Sequence, residues 1–240
     1  MNNLVIVGAS GHGKVIADIA EKVGYTDIVF LDDNPIVKSC GNYPVVGECK
    51  SALSYKNADF IVAIGNTKIR RKIQMELIGM GLHIVSLIHP SAVIASNVKI
   101  GVGTVVMAGT VINPCTEIGQ GCIINTCASV DHDNNISDYV HISVGSHLAG
   151  TVSVGTGTWI GAGAIVSNNI SICENCMVGA GAVVVDNLTE PDTYIGVPAR
   201  RMCMKNKLKN SGGGVLLLTD KNILGMLCPI ATDHLVRRAA

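Results

Sequence analysis

The sequence predicts two unlike parts, a small α/β domain at the start of the chain and a parallel β-helix after it. Two patterns predict this fold class: short apolar runs alternate with stretches of helical spacing in the first 87 residues, and an aliphatic residue then recurs at every sixth position. Apolar residues make up 48% of the chain but aromatic residues only 3%, so any core is built from Val, Ile, Leu and Ala.

The repeat of six begins at Ile94 and runs through sixteen consecutive aliphatic positions to Val184. A period of six fits neither the 3.6-residue turn of an α-helix nor the two-residue alternation of a long strand. It fits short strands joined by corners, three to a coil, and hexapeptide repeats are a β-helix signature. Sixteen hexads make about five coils, and residues 18 apart become vertical neighbours at about 4.8 Å.

The first 87 residues show a βαβαβ order. Strands are predicted in "LVIV", "DIVFLDD" and "DFIVAIGN", and helices in "GASGHGKVIADIAEKVGY", which stops at Gly24, and in "KIRRKIQMELIGMGL". This order predicts a small parallel sheet with helices on both faces and a ligand crevice at the carboxyl ends of its strands. The candidate substrate-binding residues at this crevice are Gly8, Ser10, Gly11, His12, Gly13, Asp32, Asp33, Ile64, Gly65 and Asn66.

The glycine-rich stretch "GASGHG" has the spacing G-x-x-G-x-G, which departs from the dinucleotide pattern G-x-G-x-x-G. We interpret it as a phosphate site in which backbone N–H groups at a helix start bind the anion. Asp32 and Asp33 would then bond a ribose or a base edge. A tight turn without a ligand is the alternative, and NAD is disfavoured because no second dinucleotide half is visible.

Bulk composition excludes several partners. Lys and Arg number 18 and Asp and Glu also 18, so no excess charge favours nucleic acid or an anionic membrane surface. No apolar run reaches the ~18 residues of a membrane span, and the N-terminus shows no export signal. We therefore expect a cytoplasmic protein with nine reduced cysteines. The C-x-x-C at Cys173 and Cys176 has no second pair, which disfavours zinc.

Within the charge-poor repeat, "VDHDNN" places Asp131, His132 and Asp133 side by side. By the coil arithmetic, Gly150 lies 18 residues after His132, one rung above it on the same side. An imidazole, with an ordinary pKa of ~6.5, can act as a general base, and a carboxylate on its other ring nitrogen fixes the tautomer. A surface histidine between two solvated acids is the alternative.

At this point the chain resembles the bacterial nucleotide-sugar N-acetyltransferases, chiefly the PglD-like enzymes that acetylate UDP-4-amino sugars in bacillosamine biosynthesis. The resemblance covers residues 1 to about 202 and is carried by "GASGHGKV", "FLDD", "AIGN", "IRRKI", "IVSLIHPSAVIAS", "INTCASVDHDNNISDYVHISVGSHLAG" and "IGVPARRM". It implies a left-handed β-helix, a homotrimer, a front domain that binds the UDP of the sugar, and acetyl-CoA bound along the β-helix between subunits, with no metal.

The resemblance also implies roles for single residues. His132 is the general base and Asp133 its orienting carboxylate, with Asp131 as the second choice; the family has Glu on both sides of the histidine, so one methylene is missing here. The Gly150 N–H stabilises the oxyanion. Asn125 lines the sugar site. The expected acetyl-CoA-binding residues are His141, Ala149, Gly150, Gly161, Ala162, Gly179 and Ala180.

Other functions stay open at this point. The main rivals are a sugar O-acetyltransferase of the sialic-acid type and an N-acetyltransferase for a GDP-linked amino sugar. A carbonic-anhydrase-like metal site through His132, His141 and His147 and a non-catalytic trimeric scaffold are remote alternatives. We divide the chain into a nucleotide-binding domain over residues 1–87, an acetyltransferase β-helix over 88–202, and a tail over 203–240 with no assigned function.

Overall fold

The computed structural model describes residues 3–202, so the tail to which no function was assigned lies outside the described residues. The described residues up to Arg201 form one compact unit. Within this described range, no helix has both the length and the apolar character needed to cross a bilayer.

The front of the chain folds into a twisted sheet flanked by helices, as the βαβαβ pattern predicts. Its six strands lie in the order β3-β4-β2-β1-β5-β6. The elements are β1 (Asn3–Val7), α1 (Gly11–Lys22), β2 (Asp27–Leu31), β3 (Ser39–Cys40), β4 (Tyr43–Gly47), a 3-10 helix (Cys49–Tyr55), β5 (Asp59–Val62), α2 (Thr67–Gly79) and β6 (His83–Ile84).

Alternate residues of the central strand β1 enter two different cores. Leu4 and Ile6 pack on the side of α1, whereas Val5 and Val7 pack on the side of α2 and the 3-10 helix. A strand with helices on both faces is apolar throughout, which is why "LVIV" shows no alternation. The β3–β4 hairpin was not predicted, because "CGNYPVVG" contains the Gly and Pro residues of a turn.

The rest of the chain is a stack of two-residue strands. They are β7 (Leu87–Ile88), β8 (Val93–Ile94), β9 (Lys99–Ile100), β10 (Val105–Val106), β11 (Val111–Ile112), β12 (Glu117–Ile118), β13 (Ile123–Ile124), β14 (Ser129–Val130), β15 (Asn135–Ile136), β16 (His141–Ile142), β17 (His147–Leu148), β18 (Ser153–Val154), β19 (Trp159–Ile160), β20 (Ile165–Val166), β21 (Ser171–Ile172), β22 (Met177–Val178) and β23 (Val183–Val184). The first of them lies one hexad before the repeat found in the sequence.

Every third strand pairs in parallel, so the coils close into a three-sided prism. We call the side with β7, β10, β13, β16, β19 and β22 face 1, the side with β8, β11, β14, β17, β20 and β23 face 2, and the side with β9, β12, β15, β18 and β21 face 3. The second residue of each strand points inward, and all sixteen repeat positions contribute to a single apolar core. The period of six therefore sets the interior of a parallel β-helix.

Between the faces, the chain turns at edges that we call edge 1–2, edge 2–3 and edge 3–1. From residue 103 to residue 181, every sixth residue has a positive φ, and seven of these left-handed residues are not glycine. Asp133, on edge 2–3, is one of them, with φ of 57°. Asp and Asn tolerate this region better than other residues with a Cβ atom.

The three faces have different surroundings. Face 1 is covered by the front domain, because Leu87, Val105 and Ile123 belong to the core on the α1 side. The outward residues of face 2 are mostly aliphatic and partly exposed: Val93, Val111, Ser129, His147, Ile165 and Val183. Those of face 3 are polar and exposed: Lys99, Glu117, Asn135, Ser153 and Ser171.

The last described segment turns back over the end of the prism. Strand β24 (Thr193–Ile195) pairs in parallel with β22, and β25 (Arg200–Arg201) pairs with β24 in antiparallel fashion. Leu188, Tyr194 and Ala199 join the prism core. The end of the repeat is thereby covered, as stacked repeats require.

Candidate active site

The corner that carries "VDHDNN" is on edge 2–3 and is held by buried polar side chains. Thr116 Oγ1, one coil below, donates to the Asp131 carbonyl at 2.7 Å. The amide of Asn134, which is 1% exposed, donates to the same carbonyl at 2.6 Å and to the Ala149 carbonyl, one coil above, at 3.0 Å. These bonds tie three successive coils together, so the corner is a rigid support for the residues exposed on it.

His132 projects from this corner and is bonded to one acid. Its Nδ1 lies 2.7 Å from Asp133 Oδ2, and its side chain is 56% exposed. Because a carboxylate only accepts, Nδ1 carries the proton of the neutral ring and Nε2 keeps its lone pair. The pKa of His132 is raised, chiefly by the hydrogen bond to Asp133. The arrangement is that of a base whose protonated form is stabilised by its partner.

Asp131 has other partners. Its Oδ1 accepts from Asn113 Nδ2 at 2.7 Å and from the backbone N–H of His132 at 2.8 Å. These two bonds lower the pKa of Asp131, and the bond from Asn113 has the larger effect. Although aspartate is one methylene shorter than the glutamate of the family, Asp133 reaches the ring of His132. Asp131 instead accepts from the backbone N–H of His132.

Gly150 lies directly against the His132 ring. A Cβ atom at Gly150 would stand 2.6 Å from Cε1 and 2.7 Å from Nε2 of that ring, closer than real Cβ contacts. Within the described chain, the N–H of Gly150 takes no part in the backbone hydrogen bonding between coils. A free N–H beside the basic nitrogen of His132 is the geometry that an oxyanion donor requires.

His141 lies on face 1, buried beside the front domain. Its ring stacks on Trp159 with centroids 4.7 Å apart. Asn125 Oδ1 accepts from the Thr126 N–H, so the amide Nδ2 of Asn125 faces His141 Nε2 at 3.2 Å as the donor. The proton of His141 is therefore on Nδ1, which is buried and has no partner among the described residues.

His141 and His12 are both neutral at ordinary pH. Burial lowers the pKa of His141 to about 3, helped by the charges of Arg70 and His12. Burial also lowers the pKa of His12 to about 4, with Arg70 contributing. Ala9 of the glycine-rich loop packs against the core that contains Leu87, Val105 and Ile123, so this loop lies next to face 1 of the prism.

The glycine-rich loop leaves no space for a side chain at two of its glycines. Gly8 has φ of +109°, and a Cβ atom there would stand 2.8 Å from Ile64 Cγ1. A Cβ atom on Gly13 would stand 2.5 Å from the Gly8 carbonyl oxygen. The Ser10 side chain makes no capping hydrogen bond to α1, whose first turn begins at Gly11. The loop therefore meets the geometric requirements of an anion site at a helix N-terminus.

The remaining predicted substrate residues surround this loop. Asp32 Oδ2 accepts from the Ala9 N–H at 2.7 Å, and Asp33 Oδ1 accepts from the Cys49 N–H at 2.8 Å. Asn66 caps α2 by accepting from the Ile69 N–H at 3.1 Å, and a Cβ atom on Gly65 would meet open space. Asp32 Oδ1 also accepts from the Asn34 N–H at 2.8 Å, so both acids hold backbone N–H groups around this loop.

The small residues predicted for acetyl-CoA lie on edge 1–2. Ala162 and Ala180 are exposed there. Gly161 and Gly179 are buried, and a Cβ atom on Gly161 would stand 2.5 Å from the carbonyl oxygen of Val178 in the next coil. Close stacking of the coils therefore explains Gly161 by itself, and a Cβ atom on Gly179 would stand 2.8 Å from Ile195 Cγ2 of the closing strand β24.

The predicted residues fall into two groups that the single chain does not bring together. Asp131, His132, Asp133, Ala149 and Gly150 are on edge 2–3. Asn125, His141, the small residues of edge 1–2 and the front-domain loop are on edge 1–2, on face 1 or beside it. The two edges bound opposite sides of face 2, and about five extended residues separate them, which corresponds to roughly 15 Å.

Several residues around these groups were missed in the sequence. Asn113 donates to Asp131, and Asn134 donates to carbonyl oxygens of the corner. Asn113 precedes Asp131 by 18 residues, so the coil spacing could have identified Asn113 from the sequence. Trp159 stacks on His141 and also follows it by 18 residues. Arg70 appeared in the sequence only as part of "IRRKI", and no spacing signals its position.

Within residues 3–202, no three His, Cys, Asp or Glu side chains are grouped as metal ligands. The Sγ atoms of Cys173 and Cys176 lie 3.3 Å apart, and all seven cysteines of the described range are free thiols.

Comparison with known proteins identifies the family of this chain. A family model described as the PglD N-terminal domain matches residues 3–77. UDP-N-acetylbacillosamine N-acetyltransferase of Bacillus subtilis (strain 168) is 39% identical over 114 residues, which are 45% of this chain and 52% of that protein. PerB from Caulobacter crescentus, solved in complex with CoA and GDP-perosamine, is 38% identical with a TM-score of 0.80 over 85% of this chain and 98% of that chain.

A further solved relative is matched over its whole length. The acetyltransferase domain of PglB from Neisseria gonorrhoeae FA1090, in complex with acetyl coenzyme A, is 38% identical with a TM-score of 0.81. The match covers 84% of this chain and 100% of that chain. The chain therefore belongs to the PglD-type family of hexapeptide-repeat acetyltransferases and is an acyltransferase.

Proposed function

We propose that this protein transfers the acetyl group of acetyl-CoA to the C4 amine of a UDP-linked 4-amino-4,6-dideoxy sugar, with His132 as the general base. The observation that carries the proposal is the His132–Asp133 pair at 2.7 Å with Gly150 against the same ring. The relatives that bind acetyl coenzyme A or CoA support acetyl-CoA as the donor.

The pair suits the chemistry of amine acetylation. A sugar amine is protonated near neutral pH and must lose a proton before its lone pair can attack the thioester carbonyl. Nε2 of His132 takes that proton, and Asp133 stabilises the imidazolium that results. The N–H of Gly150 donates to the oxygen of the carbonyl as it becomes negative. The nitrogen still carries one surplus proton after its attack and releases it to solvent as the amide forms. The imidazolium gives its proton to the departing sulfur of CoA, so CoA leaves as the thiol and the ring is neutral again.

We assign the nucleotide to the front domain. The N-terminus of α1 supplies N–H groups for the diphosphate, and Asp32 and Asp33 lie at the carboxyl end of β2 for the ribose or base. A GDP-linked amino sugar is the second candidate, favoured by the similarity to PerB over 98% of that chain. The two candidates differ in the base alone, so a side-by-side assay with both nucleotides distinguishes them.

We further propose a homotrimer of left-handed prisms that meet through face 2. Face 1 is covered by the front domain and face 3 is polar, which leaves the aliphatic face 2 for another copy. Val93 and Ile165 on this face are 63% and 45% exposed, and exposed apolar patches of this kind mark interaction surfaces. A closed ring of three copies needs two unlike patches on each copy, and the two halves of face 2, toward edge 1–2 and toward edge 2–3, provide them.

A ring through face 2 also completes the site. In a cyclic arrangement each copy meets the next through unlike edges, so edge 2–3 of one copy lies beside edge 1–2 of its neighbour. His132 and Gly150 of one copy would then face Asn125 and His141 of the next. The buried N–H of His141 Nδ1 is a suitable donor for an oxygen of the bound substrates. We place acetyl-CoA along this groove, and a cytoplasmic location remains our prediction.

The test is an acetylation assay with acetyl-CoA and UDP- and GDP-linked 4-amino sugars, on the wild type and on His132→Ala. We expect kcat to fall by about 10²–10⁴ in the variant, the usual contribution of a positioned general base. His83→Ala is the matched control, because His83 is also an exposed histidine bonded through Nδ1 to an aspartate, at 2.6 Å.

Two results would contradict the proposal. A wild type that acetylates neither sugar nucleotide would refute the substrate class. A His132→Ala variant that retains kcat within threefold, with the His83→Ala control also unchanged, would remove the general base.

A further inference from the structure

Arg70 is buried between the front domain and the prism without an acid beside it. Its relative exposure is 1%, and the described residues include no carboxylate within ion-pair distance of it. Burial lowers the pKa of Arg70 to about 10, so the guanidinium is still charged at neutral pH. A buried cation with no counter-ion is costly unless its donors are satisfied.

Four carbonyl oxygens accept from four of the five N–H groups of the guanidinium. Nη1 donates to the carbonyls of Ile64 at 3.0 Å and Gly65 at 2.8 Å. Nε donates to the carbonyl of Gly121 at 2.8 Å, and Nη2 to that of Tyr139 at 2.9 Å. The planar fork of arginine can reach all four at once, which the ammonium of lysine cannot.

The four carbonyls come from two different structures. Ile64 and Gly65 form the loop after β5, one of the loops that line the proposed nucleotide site. Gly121 and Tyr139 are 18 residues apart and therefore occupy successive rungs of edge 3–1. Arg70 thus joins the loop of the front domain to two coils of the prism and sets the height of that loop along the stack.

The charge of Arg70 also reaches the loop on the other side of the crevice. It helps to keep His12 and His141 neutral, although burial is the larger cause for both. The carbonyl dipoles solvate the cation but leave its net charge in place. Arg70 therefore contributes a positive charge near the crevice between β1 and β5, and this charge does not come from an exposed side chain.

We infer that Arg70 is a positioning residue for the nucleotide: it holds the Ile64–Gly65 loop against edge 3–1 and supplies a buried positive charge that favours the diphosphate. This inference rests on the proposed nucleotide-sugar acetyltransferase function. It concerns a residue that touches neither the reacting amine nor the thioester. Its effect is therefore expected on nucleotide affinity rather than on acetyl-CoA affinity.

The experiment uses the full-length protein and three variants. Arg70→Met removes the charge and the fork, and Arg70→Lys keeps the charge and loses the fork. Lys72→Met is the matched control, because it removes an exposed cation from the same helix. Calorimetry measures the Kd of UDP, GDP and acetyl-CoA for each protein. The acetylation assay then gives kcat and both KM values, and a thermal scan reports folding.

We expect Arg70→Met to weaken the nucleotide that the wild type binds, and to raise the KM of the sugar nucleotide, by about ten- to a hundredfold, the range for a misplaced positioning element. The Kd of acetyl-CoA should stay within threefold, and Arg70→Lys should recover part of the nucleotide affinity. Lys72→Met should match the wild type.

Other outcomes overturn the inference. If nucleotide and acetyl-CoA affinity fall equally, in step with the loss of Tm, Arg70 is only structural. If nucleotide affinity is unchanged in Arg70→Met, the positioning role is wrong. If Arg70→Met fails to fold, the affinity of Arg70→Lys for the nucleotide decides, and an unchanged value refutes the role. A wild type that binds neither UDP nor GDP instead refutes the proposed function of the front domain.

Discussion

Replacing Gly150 by alanine moves the proposed base without removing it. The new Cβ atom would stand 2.6 Å from Cε1 and 2.7 Å from Nε2 of His132, whereas carbon atoms in contact are about 3.5–4.0 Å apart. The ring must therefore shift by about 1 Å. Because the His132 side chain is 56% exposed, it can move into solvent and leave the coil intact. A shift of about 1 Å in a reacting group can lower the rate by about a hundredfold.

The assay is steady-state acetylation with a saturating sugar nucleotide and acetyl-CoA. We expect kcat of Gly150→Ala to fall by about a hundredfold, while Tm stays close to that of the wild type. Gly79→Ala is the matched control: its added methyl group meets no atom within 4 Å, and Gly79 ends α2, far from edge 2–3. The control should retain full activity.

The result that would refute this reasoning is a Gly150→Ala protein whose kcat stays within twofold of the wild type. The position of the imidazole, and the N–H of residue 150 beside it, would then not limit the reaction. A fall in Tm of several degrees together with the loss of kcat would instead show that the methyl group disturbs the coil, which contradicts the expectation that the exposed ring moves.

Two further predictions concern the acid and the assembly. Asp133→Asn keeps a residue that tolerates positive φ but removes the main cause of the raised pKa of His132. Since only the neutral ring accepts a proton, the acidic limb of the kcat/KM profile should move to lower pH, and kcat should fall. An acidic limb that stays in place would exclude Asp133 as the partner of His132. Mixing His132→Ala chains with His141→Ala chains, each inactive alone, should restore about a quarter of the sites if neighbours share them; no recovery after subunit exchange would place both residues' roles within one chain.

The sequence predicts the prism well because one physical rule repeats. Each inward side chain must be aliphatic, and every sixth position obeys this from Ile94 to Val184. The same spacing predicts vertical neighbours, and Gly150 indeed lies against His132. The family resemblance, and not the spacing, names Asp133 and then Asp131 as the partner of His132. In the structure Asp133, at a left-handed backbone position, is the acid bonded to the ring.

The features of the fold and of the site that the sequence does not predict depend on packing between distant parts of the chain. Arg70 looks like any basic residue on a surface helix, and its burial arises only when α2 meets edge 3–1. The stacking of Trp159 on His141 is local to face 1, but the burial that keeps His141 neutral comes from the front domain. The hairpin β3–β4 is missed because an edge strand with Gly and Pro has the composition of a turn.

The 18-residue coil also limits how this chain can change length. An insertion of six residues between His132 and Gly150 would carry every later residue to the next face, so the glycine would leave the imidazole. A duplication of a full coil above Gly150 would only make the prism about 4.8 Å taller. Members of such a lineage can therefore gain or lose whole turns away from the corner, while the segment from Asp131 to Gly150 must keep its length.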